Sequence, residues 1–366
     1  MSGGPEAAAG PYDLPALGWN DHFARAFEAN ARPHVVPGRV GLEHKHIYRV
    51  LTERGDVLAR AAGRLRHRAS AAVEYPGVGD WVALRLVRGE TRGAILEILP
   101  RTSRFSRKVA GDLTQEQVVA ANIDTVFLAM GLDADYNPRR IERYLVTGWN
   151  SGAQPVVLLT KADLCDDVEG RVREVEALAA AAPVHPVTAM AEGGVEVVRR
   201  YLEPGRTVAI LGSSGVGKST LINRLVGREL LRTGELTADA RRGRHTTTHR
   251  ELIVLPGGGL IIDTPGLREI QLWEAGDSIG SAFPDIGALA AGCRFGDCAH
   301  DTEPRCAVRQ AVEDGRLAAD RLESYLKLQA EARRFTEKQD ELAILEKKRK
   351  AKVFGRLLKR MPPKGG

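Results

Sequence analysis

Nine consecutive residues carry the clearest chemistry in this chain: Gly212-Ser213-Ser214-Gly215-Val216-Gly217-Lys218-Ser219-Thr220, a complete G-x-x-x-x-G-K-[ST] phosphate-binding loop. Its glycines permit a tight turn that aims successive backbone N–H groups at a polyphosphate, and a helix opening at its end adds a positive terminus. Lys218 is placed to reach the β and γ phosphates, and Ser219 to hold Mg²⁺. A second constellation, Cys293-x4-Cys298-x-His300-x5-Cys306, offers three thiolates and one imidazole. Four such ligands complete a tetrahedral Zn²⁺ with no open position, so the site is expected to be structural. Metal binding worth roughly 10 kcal/mol would organise a segment poor in core.

The elements around the loop must position it. Residues 207–211 read as a buried strand and 221–225 as an apolar helix, flanks that a Gly/Ser-rich surface turn does not normally have. A further strand at 156–159 runs into Thr160-Lys161-Ala162-Asp163, which looks like the [NT]-K-x-D guanine-specificity element of GTPases. There the Asp accepts from N1 and N2 of guanine while the Lys stem packs along the base. Adenine lacks that donor pair, and an unmatched buried carboxylate costs roughly a few kcal/mol. Thr160 stands where asparagine is commoner, so the brace to the phosphate loop is expected to be weakened. Val187-Thr188-Ala189-Met190 resembles the S-A-x element behind the base.

Downstream, the strand 260–262 delivers Asp263-Thr264-Pro265-Gly266, the D-x-x-G of a second switch. Asp263 would tie to Mg²⁺ through water and the Gly266 N–H would sense the γ-phosphate. The polar run 241–249 suits a first switch, and Thr247, among Thr246 to Thr248, is assigned to complete the Mg²⁺ shell. Leu267 follows Gly266 and cannot orient water. Intrinsic turnover is therefore expected to be slow until a partner orders the switches, with His245 the candidate for placing the attacking water.

The order of these elements is permuted. GTPases usually run phosphate loop, first switch, D-x-x-G, N-K-x-D, S-A-x, and here the last two come first. Cutting a sheet protein at an exposed loop and joining its old ends keeps every core contact, so the site should assemble unchanged. Alternating strands (124–129, 155–159) and helices (139–148, 169–182) predict a doubly wound sheet covered on both faces.

Five short apolar-alternating runs between residues 37 and 104 have the size of a small closed barrel of OB type. Arg49, Arg60, Arg64, Arg66 and Arg68 would meet phosphates on its surface. The expected organisation is thus a flexible lead-in over 1–36, an OB-fold β-barrel over 37–108, a circularly permuted α/β P-loop GTPase domain over 109–285, a zinc-binding helical domain over 286–346 and a basic tail over 347–366.

Charge supports a nucleic-acid partner. The chain is net +6, yet residues 347–366 hold nine Lys/Arg and no Asp/Glu, and residues 38–108 hold fifteen against seven, leaving the rest acidic. Three of the four cysteines fall in the metal-ligand run, which argues for a reducing cytoplasm and against a disulfide scaffold, with Cys165 an ordinary thiol. No apolar run approaches membrane-spanning length and residues 1–10 do not resemble a secretory signal, so no membrane partner is expected.

A basic OB-like barrel, a permuted GTPase carrying G-S-S-G-V-G-K-S-T, G-R-H-T-T-T and D-T-P-G, and a C-x4-C-x-H-x5-C module together resemble the RsgA/YjeQ family of small-ribosomal-subunit-dependent GTPases. The resemblance spans about residues 37–328. It implies GTP hydrolysis with Mg²⁺, stimulated by the small (30S) ribosomal subunit during its late maturation, with rRNA as the main binding surface, possible contact with other assembly factors, and a monomer. Two other readings differ in class: an RNA-binding assembly factor whose nucleotide site only senses occupancy, and a small-molecule P-loop kinase, which Thr160–Asp163 disfavours.

Overall fold

The computed structural model describes residues 11–334 apart from 70, 88, 109–115, 180–181, 228–249 and 264–275, together with residue 337. Five strands form the barrel: β1 (Val35–His44), β2 (Ile47–Thr52), β3 (Gly55–Ala61), β4 (Trp81–Leu86) and β5 (Arg92–Ile98). β3 pairs in parallel with β5, β5 with β4, and β4 returns to β1 with Val35 opposite Arg85, closing the ring. Alternation along β3 sends Val57 and Ala59 inward and Leu58 and Arg60 outward, as a period of two requires.

The segment before the barrel departs from the flexible lead-in expected for it. Helix α1 (Asp21–Glu28) is capped by Asn20, whose side chain accepts from the N–H groups of His22 and Phe23. Leu14, Leu17 and Phe23 are buried, and Trp19 meets the fully buried Trp81 edge-on at 4.8 Å between ring centres. α1 is amphipathic and, with Leu14 and Leu17, finds its partner in the barrel.

After helix α2 (Gly63–Arg68) and the barrel, an unanticipated hairpin of β6 (Arg104–Lys108) and β7 (Glu116–Ala121) leads into the nucleotide sheet. Its strands are β8 (Thr125–Gly131), β9 (Gln154–Thr160), β10 (Val184–Pro186), β11 (Thr207–Gly212), β12 (Arg250–Val254) and β13 (Leu260–Asp263), in spatial order β10-β9-β8-β11-β13-β12. All pair in parallel except β12, which runs antiparallel to β13. Helices α3 (Pro138–Ser151), α4 (Val168–Leu178), α5 (Glu196–Arg199) and α6 (Lys218–Val226) cover it. Every residue of β8 is buried: Val126, Leu128 and Met130 join the core under α3, while Phe127 and Ala129 join the core under α5 and α6. Two-faced burial is why this strand reads as an unbroken apolar run.

The two sheets are one. β12 pairs with β1, Leu42 opposite Glu251 and Glu43 opposite Arg250, so eleven strands run continuously from the nucleotide domain into the barrel. Helices α7 (Gly276–Ala282), α8 (Pro284–Ala290), α9 (Ala307–Glu313) and α10 (319–334) complete the described chain and pack beside α3.

Candidate nucleotide site and metal centre

Gly131, Thr160, Gly212 and Asp263 end β8, β9, β11 and β13 at the same edge of the sheet. Carboxyl ends of parallel strands are where open α/β sheets bind ligands. Two cavities, of about 520 and 370 Å³, lie around Asp124 and Arg206 at the opposite edge and hold none of the predicted residues.

The phosphate loop turns from β11 into α6 with Gly217 at φ 97°, a left-handed conformation suited to glycine, and a Cβ there would meet nothing within 4 Å. Lys218 folds back over its own loop, its Nζ donating to Gly212 O at 2.9 Å and Ser213 O at 2.6 Å. Ser214 and Gly215 are exposed, Val216 is buried, and Ser219 and Thr220 stand in the first turn of α6.

Thr160 corrects the expectation of a weakened brace. Its hydroxyl lies 2.6 Å from Val216 O in the phosphate loop and 3.2 Å from Met130 O, so the threonine ties β9 to the loop directly. Lys161 follows in a left-handed conformation at φ 57°, and Asp163 accepts a hydrogen bond from the Thr188 hydroxyl. The two guanine-side segments found in the sequence therefore meet.

Asp263 stands opposite Glu251 in the β12–β13 register. Burial raises its carboxyl above the usual range, Lys218 opposes the rise and Glu251 adds to it. Asp263 at the end of β13 and Ser219 at the start of α6 both offer oxygen, the donor type that suits Mg²⁺. Of the other predicted residues, His245, Thr247 and Gly266, with Leu267, lie outside the described residues.

The Cys/His quartet assembles as its spacing predicts. Cys293 follows α8, Cys306 caps α9, and Cys298 and His300 sit in the loop between them. His300 Nδ1 is 3.4 Å from Cys306 Sγ and 3.7 Å from Cys293 Sγ, and those two sulfurs are 3.9 Å apart; all four ligand atoms lie within 4.8 Å of one another. Zinc bonds of about 2.3 Å to sulfur and about 2.0 Å to nitrogen give tetrahedral edges of roughly 3.5–3.8 Å, so the quartet fits Zn²⁺. The Glu303 carboxylate accepts from the backbone N–H groups of Ala299, Asp301 and Thr302 and holds this loop closed.

Sequence reasoning missed the connections of this site to its surroundings. Arg49, expected to meet phosphate, instead pairs with Glu251 at 2.5 Å, while Arg60, Arg64, Arg66 and Arg68 are exposed. On the helical side, Arg321 reaches Glu142 of α3 at 2.8 Å and grips Asp285 with two bonds, and Ser324 also donates to Glu142. Glu142 and Arg321 are 179 residues apart, beyond any local pattern.

A sequence profile described as RsgA GTPase matches residues 98–273. A small ribosomal subunit biogenesis GTPase of Opitutus terrae is 49% identical over 352 residues, covering 93% of this chain and 96% of that protein. The chain belongs to the RsgA GTPase family. A second relative of the same description, from Syntrophotalea carbinolica, is 43% identical and covers 95% of this chain and 97% of its own. Among solved structures, YjeQ from Thermotoga maritima aligns with a TM-score of 0.62 at 27% identity over 81% of this chain and 98% of its own. YloQ, a circularly permuted GTPase, shares the fold at a TM-score of 0.59. Circular permutation, the OB-type barrel and the metal quartet sit together in this chain.

Proposed function

We propose that this chain hydrolyses GTP on the small ribosomal subunit and so drives a late step of its maturation. The observation that carries the reading is the bond from Thr160 to Val216, which ties a guanine-type T-K-A-D segment to a complete phosphate loop within one permuted sheet. Asp163 accepts from guanine, Lys161 covers the base, and residues Gly212 to Thr220 wrap the phosphates. Lys218 exchanges its two loop carbonyls for phosphate oxygens when nucleotide enters. Ser219 and Thr247 would hold Mg²⁺ with Asp263 behind them, and the ion would supply neutralisation of the charge that develops on the β and γ phosphates. Gly266 senses the γ-phosphate and His245 places the attacking water once the ribosome orders the switches.

Ribosomal RNA meets the barrel through Arg60, Arg64, Arg66 and Arg68, all exposed on β3 and α2. Among the described residues no helix is long and apolar enough to cross a membrane, and the reading needs none.

Phosphate release from GTP and from ATP, each with and without purified small subunits, tests the proposal. Stimulation confined to GTP is the expected result. Tight GTP binding without hydrolysis under any condition overturns it in favour of an occupancy sensor. In the stimulated reaction His245→Ala is expected to lose turnover while keeping nucleotide affinity, and intact turnover removes His245 from its role.

A further inference from the structure

The loop that follows β8 touches both halves of the nucleotide site, and nothing in the phosphate or guanine motifs includes it. Asp133 Oδ2 lies 2.5 Å from Lys161 Nζ. Two residues on, Asp135 Oδ2 accepts from the Ser213 hydroxyl at 2.6 Å, and Arg140 clamps the same carboxylate with bonds of 2.7 and 3.1 Å. The loop is braced from within, since the Asp135 N–H donates to Asp133 Oδ1 at 3.1 Å. It is also braced from below, where the Leu132 N–H donates to Thr160 O at 2.9 Å. A Cβ on Gly131 would stand 2.7 Å from Asp133 Oδ1, so any larger residue there would push the folded-back carboxylate aside.

We infer that residues 131–135 form a clasp in which Asp133 positions Lys161 for the guanine base and Asp135 positions the phosphate loop through Ser213. This rests on the reading of Thr160–Asp163 as the guanine-binding segment. The physical argument is preorganisation. A lysine stem that must lie flat against a base loses the freedom of several rotatable bonds on binding, and an anchored ammonium has surrendered that freedom beforehand. The left-handed backbone of Lys161 starts the stem in the right direction, and Asp133 fixes its far end. Asp133 is correspondingly held below the usual carboxylate range, chiefly by the Lys161 hydrogen bond. Asp135 acts on a different part. Ser213 is the second residue of the phosphate loop, and its hydroxyl is the only side-chain group of Gly212–Gly215 tied to the β8 side among the described contacts. The two carboxylates therefore have separable effects: one depends on the base and the other does not.

The test measures GTP, GDP and ATP affinity, GDP dissociation rate, kcat, KM and melting temperature for the full-length protein and four variants. Asp133→Ala is expected to weaken GTP and GDP about tenfold, mostly through faster dissociation, and to raise KM for GTP much more than it lowers kcat, while ATP binding shifts less than twofold. Asp133→Asn, which keeps an acceptor for the ammonium, recovers most of the loss. Asp135→Ala weakens GTP and ATP by the same factor. Asp163→Asn is the control for the underlying reading and erases the preference for GTP. If Asp163→Asn behaves so but Asp133→Ala binds GTP like the wild type, or loses GTP and ATP equally, the clasp is wrong and the guanine reading stands. If Asp163→Asn leaves the preference intact, both fall. An Asp133→Ala protein whose melting temperature drops but whose affinity ratio is unchanged assigns Asp133 to folding alone and overturns the inference.

Discussion

The barrel and the helical metal module flank the same nucleotide domain but are fastened to it by opposite means. The barrel is attached chiefly through main chain, with the partly exposed Arg49–Glu251 ion pair as the charged contact beside the seam. β1 and β12 share a ladder, and the fully buried Arg39 of β1 donates to three backbone carbonyls, Leu17 O, Gly79 O at 3.2 Å and Asn122 O at 2.8 Å. Among the described residues no carboxylate forms an ion pair with that guanidinium, and burial lowers it to about 10 against the pull of Asp124 and Asp80. The helical module is attached through side-chain charge. Glu142 is fully buried and is served by Arg139, Arg321 and Ser324, while Arg321 also holds Asp285, donates to Ala282 O and lies over the Phe283 ring. Main-chain attachment fixes register without requiring charges. A buried charge network is stable only while it is complete, because each ion left alone bears its desolvation cost.

The largest expected effect lies on the charged side. Stripping Zn²⁺ with a chelator removes roughly 10 kcal/mol of ligation from the helical module. Proteolysis should then cut within 293–306 while the barrel and nucleotide sheet stay intact; if barrel and module are lost together, the two attachments are not independent.

Arg321→Ala comes next. It leaves Glu142 buried with a weakened partner set and is expected to cost about 3–5 kcal/mol in denaturant unfolding. Replacing the pair together, Arg321→Met with Glu142→Leu, should recover most of that, which distinguishes a stranded charge from lost packing.

On the barrel side, Arg39→Met orphans three carbonyls without stranding a charge and is expected to cost about 2 kcal/mol. Its signature is greater hydrogen exchange in residues 14–23 and not in the helical module.

Acid makes the smallest difference. Burial raises the Asp285 carboxyl, but the hydrogen bonds and charge of Arg321 outweigh it and the net shift is downward. The folded carboxyl therefore holds its proton less tightly than the unfolded one. Its contribution is complete above about pH 4 and is lost as pH falls through the folded value, so strong acid, below about pH 4, should loosen α8 from α10 before it opens the β1–β12 ladder. A melt followed by separate probes on the two modules checks the order.

These differences mark what the sequence could reveal. Motifs built on short spacing were legible, because Gly217, Lys218, Asp163 and the Cys/His quartet each make their chemistry with neighbours in the chain. The barrel strands and β8, β9, β11 and β13 were legible because burial on one or two faces leaves an apolar pattern. Arg39 was only one of the fifteen cations of a basic segment, since nothing local announces that Trp81, Leu17 and Asn122 will enclose it. Asp133, Asp135 and Glu251 were silent for the same reason: a single carboxylate in a loop or edge strand carries no period. The brace at Thr160 was expected to be weakened by the loss of the commoner Asn, but a shorter side chain suffices where the backbone approaches to hydrogen-bonding distance. β12 was missed because it is half exposed and charged at Arg250 and Glu251, which face a partner strand more than two hundred residues away.

β12 lies in sequence between the segments read as the two switches, and it shares its hydrogen bonds with the barrel. Sheets resist stretching along their ladders far more than they resist a change of twist. A rotation of about 5° at β12 carries the far end of a strand ~20 Å long through roughly 2 Å. The seam therefore makes twist a shared quantity: β1 follows any turn of β12 through the ladder that sets Leu42 opposite Glu251 and Glu43 opposite Arg250.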